Sequence, residues 1–206
     1  MPDRPRRERK GNTVRIPILG PMDHNAGIYL AVGGLVIAWA NNESVFLAML
    51  QSVMGGDRDA GNIVWFSQRN TKARIDLLLR LCQAKVHDKA LLRDLRSAAS
   101  RFRGLSRVRN LYCHGLYGYD PQFRLNQIIS TTVADDGAPV RHTQKFFNQA
   151  TLNELSDAII KLAELNRDLW GLVPRLASEL GVSSPPIPQL LPPEGIPRRF
   201  VEDTKE

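Results

Sequence analysis

A mainly α-helical protein is what this sequence predicts: an antiparallel bundle of four main helices with a small β-hairpin insertion between the third and the fourth. Three observations carry the expectation. Apolar residues recur at helical spacing along four long stretches. Between the third and fourth of these the composition changes to Thr, Ile, Val, Tyr and Phe, the residues that suit a pleated, half-buried strand. Glycine or a capping side chain stands near most of the helix ends.

The chain divides into a basic arm at residues 1–22, a helical domain at 23–181 that carries the β insertion at about 116–147, and a Pro-rich tail at 182–206. A length of 206 residues, 43% hydrophobic and 24% charged, suits one soluble domain with tails and excludes fibrous or wholly disordered classes. The net charge of +7 favours polyanionic partners, although part of it lies in the arm Met1-Pro-Asp-Arg-Pro-Arg-Arg-Glu-Arg-Lys10. Cys82 and Cys113 lack zinc-ligand spacing and any disulfide framework, which fits a reducing cytoplasm and predicts no metal and no cofactor. The apolar run from Ala26 to Ala40 contains Gly33-Gly34 and leads into Asn41-Asn42-Glu43. Because a membrane span needs roughly 20 apolar residues, that run is expected to be a buried core helix and no membrane partner is expected. The signal-peptide pattern is missing as well.

In chain order, Asp23 or Asn25 caps a first helix that reaches Met54, with Val32, Val36, Ala40, Leu47, Leu50 and Met54 in one apolar stripe and Glu43 in its missing place. Gly55-Gly56 ends it. A second helix covers about Asn62 to Ala84, with Ile75, Leu78, Leu79 and Cys82 inward. The third runs from about Asp88 to His114, irregular near Gly104 and stopped by Gly115. Strand-like segments follow at 116–120, 123–134 and 140–147, with Asp135-Asp136-Gly137 as a hairpin turn. Thr151-x-x-Glu154 reads as a capping box for the fourth helix, which Pro174 should kink and Gly181 should end.

The segment Arg107-Val108-Arg109-Asn110-Leu111-Tyr112-Cys113-His114-Gly115 gathers the residue types that chemistry needs at the close of the third helix. At 3.6 residues per turn, Arg103, Arg107, Asn110 and His114 fall into one polar stripe. Arg109 instead continues the apolar stripe of Leu91, Leu95, Ala98, Phe102 and Leu105, so it should point inward, where a charge needs a partner. Glu43 is the candidate: a buried Arg109–Glu43 ion pair would fix helix register. His114 has a bland reading too, as a cation at a helix C-terminus. Serines lack a nucleophile-elbow context, no phosphate-binding Gly-Lys loop occurs, and with aromatics at 7% no stacking platform is evident.

Arg109-Asn110-x-x-x-His114 resembles the R-x4-6-H signature of HEPN domains, helical bundles found in many RNases of prokaryotic toxin and defence systems. Arg80…His87 and Arg107…His114 also satisfy the bare spacing, but the Arg109 version adds the polar residue that commonly follows the Arg. The resemblance implies a metal-independent endoribonuclease, with the RNA 2′-hydroxyl attacking the adjacent phosphate. It implies His114 as acid or base, Arg109 and Asn110 at the phosphate, and Arg103 and Arg107 binding substrate. It also implies RNA as a partner, a homodimer whose two helix ends form one cleft, and an antitoxin or other protein partner. The alternative is a catalytically inactive HEPN-like module that binds protein or nucleic acid, with Arg109 and Glu43 as core struts.

Overall fold

The computed structural model describes residues 22–132 and 141–188; the basic arm, the Asp135-Asp136-Gly137 turn and the tail beyond residue 188 lie outside them. Within these residues the protein is mainly helical, with a small antiparallel sheet of three strands. The elements are α1 (Met22–Val53), α2 (Arg58–Ser67), α3 (Thr71–Lys85), α4 (Lys89–Gly104), α5 (Ser106–His114), β1 (Leu116–Tyr119), β2 (Leu125–Thr132), β3 (Arg141–Phe146) and α6 (Gln149–Glu179).

The buried side of α1 keeps only Leu50 of the stripe its spacing suggested. Ala31, Leu35, Trp39, Val45, Phe46, Met49 and Val53 are buried, whereas Val36 and Ala40 are exposed and Val32, Leu47 and Met54 are half-buried. The first half of α1 is apolar on every side, so periodicity selects no face there. Tyr29, Leu30, Val36 and Ile37 remain exposed. An 18-residue window within Asn25–Val53 makes α1 long and apolar enough to cross a membrane by length and composition, which the shorter run at 26–40 did not suggest. A third of that window is buried within the fold.

The second helix, expected to be continuous, is broken, and the third breaks beside Gly104, where irregularity was expected. Asn70 caps α3 by accepting from the Ala73 amide at 2.9 Å, which separates α3 from α2 at residues 68–70. Leu105 sits between α4 and α5 with φ −89° and ψ −8°, while the Ser106 hydroxyl donates to the Arg103 carbonyl at 2.7 Å. Gly55 and Gly56, at φ 81° and 84°, turn the chain after α1 as expected of glycine.

Contacts along the helices give their directions. Against the antiparallel arrangement expected, α1 and α6 run the same way: Ile28 clusters with Leu152, Ile159 lies against Gly34, and the Asn42 amide donates to the Leu162 carbonyl at 2.9 Å. The short α2 is the reason. It doubles back along the end of α1, with Gly61 against Gln51, so α3 starts beside Glu43 and climbs beside α1 until Lys85 reaches the Val53 carbonyl. The α4 helix then descends against α6, tied by Arg175–Asp94 at 2.8 Å and Arg101–Asp168 at 2.5 Å. The core lies where these meet, centred on Trp39 stacked on Phe102 at 4.0 Å and Phe46 tilted against the same ring at 5.3 Å.

The β insertion is a three-strand meander rather than a single hairpin, because β1 pairs antiparallel with β2 as β2 does with β3. Its link to α5 is Gly115, which is extended at φ −76° and ψ 154°, not left-handed as a helix-stopping glycine would be. Space explains it instead. A Cβ there would sit 2.5 Å from the Ile128 Cγ1 and 2.7 Å from the Leu111 carbonyl oxygen. Gly115→Ala should therefore destabilise the protein by about 1–3 kcal/mol, read from urea unfolding. At the start of α6 the expected capping box is unused: Asn148 caps the helix through the Thr151 amide at 3.0 Å, and the Thr151 hydroxyl donates to the Phe146 carbonyl at 2.7 Å. Glu154 is thereby free to accept from Tyr112 at 3.0 Å and to pair with Lys145. The α6 helix runs unbroken through Pro174.

Candidate active site at the end of the fifth helix

Helix α5 is short because Leu105 resets the helical path before it and Gly115 hands the chain to β1 after it. That geometry brings Arg109, Asn110 and His114 together. Arg109 Nη1 lies 3.1 Å from Asn110 Oδ1 and 2.9 Å from His114 Nε2, both within hydrogen-bonding reach. A donor on Arg109 facing Nε2 places the imidazole proton on Nδ1 in the neutral ring. Asn110 and His114 are exposed and Arg109 is half-buried.

Arg109 does turn toward the core, but its partner there is a ring. The guanidinium carbon sits 5.6 Å from the centre of the Trp39 ring, within cation–π range. The expected Arg109–Glu43 ion pair does not form among the described residues; Glu43, half-buried, accepts from the Thr71 hydroxyl at the start of α3. The pairing logic failed because an aromatic face can hold a guanidinium as a carboxylate can, with no charge pattern to reveal it. Trp39 is the residue that sequence reasoning missed. Its one signal was position: it stands one turn after Leu35 on α1.

The remaining stripe residues divide. Arg103 turns to α3 and pairs with Asp76 at 2.5 Å, because the Leu105 break takes it out of line with α5. Arg107 is exposed and makes no ion pair among the described residues. Of the three Arg/His spacings noted, only Arg109 and His114 are bonded to one another there; Arg80 lies in α3 and His87 in the loop beyond it.

Opposite the polar end, α5 is anchored. Tyr112 is buried and its phenol donates to Glu154, while the Tyr117 hydroxyl donates to the Tyr112 carbonyl at 2.5 Å. Burial, with the Glu154 charge adding to it, holds the Tyr112 phenol protonated well above the usual tyrosine range. Cys113 is half-buried and its thiol is raised by burial against the opposing charge of Arg109, so it is a packing residue rather than a ready nucleophile. Among the described residues no three His, Cys, Asp or Glu side chains converge as metal ligands. No family model matches the chain, and no curated protein or solved structure matches it either.

Proposed function

We propose that the protein is a metal-independent endoribonuclease of HEPN type, in which α1, α3, the α4–α5 pair and α6 are the four main helices and the end of α5 is the catalytic edge. The single observation that supports this reading is the Arg109–Asn110–His114 cluster, joined through one guanidinium nitrogen and open to solvent. The remaining guanidinium N–H groups suit a bidentate grip on a phosphate. Once a phosphate draws Arg109 away, Nε2 of His114 is free to take the proton of the RNA 2′-hydroxyl. The O2′–P bond then forms, the P–O5′ bond breaks, and the leaving O5′ takes a proton, giving a 2′,3′-cyclic phosphate and a 5′-hydroxyl. Arg109 stabilises the charge that grows on the non-bridging oxygens. Arg107, exposed on the same helix, holds a neighbouring phosphate.

One imidazole serves two proton transfers awkwardly, which favours a homodimer that sets a second His114 across the cleft. A second reading has its own support: His114 Nε2 already faces Arg109, as expected of a catalytically silent module whose helix end is merely tied off. Mixed RNAs incubated with the protein in a metal chelator separate the two. The nuclease reading expects fragments with 2′,3′-cyclic phosphate ends, and the same strands with 2′-O-methyl sugars left whole. An RNA pool that stays intact would leave only the silent module.

A further inference from the structure

Three exposed aromatic residues lie at the sheet end of α1. Tyr29 of α1 and Tyr119 of β1 have their hydroxyls 3.3 Å apart, and Phe123 follows in the β1–β2 turn. Their exposures are 50%, 51% and 74%. Phe123 is unusual in its backbone as well: at φ 58° it is the one non-glycine residue with positive φ among the described residues. For a bulky side chain that conformation costs on the order of 1–3 kcal/mol and persists only where the surroundings over-determine it.

They do so here. Asn25, only 3% exposed, donates from its amide to the Phe123 carbonyl at 2.9 Å and accepts from the Leu125 amide at 2.8 Å. Asp120 holds the other side, accepting from the Gln122 and Arg124 amides at 2.9 Å and from the Arg124 guanidinium at 2.8 Å. Those hydrogen bonds, the Arg124 amide first, keep the Asp120 carboxyl below its ordinary value. A buried Asn and a paired Asp thus hold in place a ring that points away from the core. Strain kept for an exposed ring is strain kept for something outside the fold.

We propose that Tyr29, Tyr119 and Phe123 form a stacking platform for unpaired bases of a single-stranded RNA whose phosphate lies at Arg109 and His114. The inference rests on the nuclease reading above and adds the strand's form to it. Position supports it: Tyr29 and Trp39, the seat of Arg109, are ten residues apart on one helix, a spacing of about 15 Å at the usual helical rise. Tyr119 is reached from His114 by five residues of extended chain, an end-to-end span of about 17 Å at most. Both spans lie within the reach of a strand a few nucleotides long. Charge supports it too, because the turn's carboxylate, Asp120, is neutralised by Arg124 and the chain carries +7 overall. Every base has a π face, so rings in this arrangement take any sequence but cannot reach bases that are stacked within a duplex.

The test is fluorescence anisotropy with a labelled, unstructured 2′-O-methyl RNA of roughly a dozen nucleotides, a length set by the usual range of single-strand sites. Phe123→Gly keeps the positive φ and removes the ring; Tyr119→Leu keeps apolar bulk; Phe123→Trp restores a stacking face. Phe123→Gly and Tyr119→Leu should each weaken binding roughly ten-fold, while Phe123→Trp binds at least as well as the wild type. The same strand annealed to its complement should be indifferent to all three. Wild-type affinity in Phe123→Gly and Tyr119→Leu would overturn the platform, and so would a change confined to the sedimentation mass, which would assign the rings to self-association. Cutting of unmodified RNA is scored separately. A protein that binds through these rings yet cuts nothing keeps the platform and loses the nuclease; one that cuts but ignores the ring substitutions does the reverse.

Discussion

Replacing His114 with alanine should lower RNA cleavage by about 10²–10⁴-fold, the usual worth of a positioned general acid or base. The fold should hardly notice. His114 is exposed at the last position of α5, and the one side-chain hydrogen bond it makes among the described residues is to Arg109. Initial rates of cleavage and a thermal melt on the same preparation separate chemistry from stability. An unchanged rate would remove His114 from the reaction and, with it, the assignment of this helix end as an active site.

Trp39→Ala should be the most damaging core substitution near the site, at about 3–5 kcal/mol by urea unfolding. Two losses coincide. The ring leaves Phe102 without its stacking partner at 4.0 Å, and Arg109 without the surface beneath its guanidinium. Cleavage by the fraction that remains folded should fall as well, because Arg109 is then positioned only by Asn110 and His114. Trp39→Phe is the control. It keeps a ring face and removes an indole N–H that is buried without a hydrogen-bond partner among the described residues, so it should cost much less than the alanine variant. If Phe and Ala at this position unfold at the same urea concentration, the ring stack does not carry the core.

The helices themselves were legible from apolar spacing, and the limits of the legibility are physical. The α2–α3 break lies inside a stretch whose period barely changes, and its local sign, Asn70, is a residue that also occurs within helices, whereas Gly104 marked the α4–α5 break. The direction of α1 against α6 depends on how many times the chain crosses the core, so missing the α2–α3 break meant miscounting the crossings. At the site, spacing on one helix put Asn110 and His114 on a shared face but set Arg109 on another, and only the motif resemblance joined it to them. Arg103 does not share that face, since a change of path at Leu105 breaks any face drawn through it. The Trp39 seat, the Asn25 clamp and the positive φ of Phe123 leave no mark in composition or period. An Asn near a helix start reads as a cap, and only the folded chain shows it holding a turn about a hundred residues away.

The pairing of α1 with α6 has a consequence for biosynthesis. These two helices supply much of the core, and they are the first and last elements among the described residues. A ribosome must therefore finish nearly all of the helical region before Leu35, Phe46 and Met49 can be covered by Leu162, Leu165 and Leu169. Such closure between distant parts of a chain is slow and leaves sticky intermediates in the meantime. Nascent chains stalled before α6 should accordingly be the ones that chaperones hold and proteases clear.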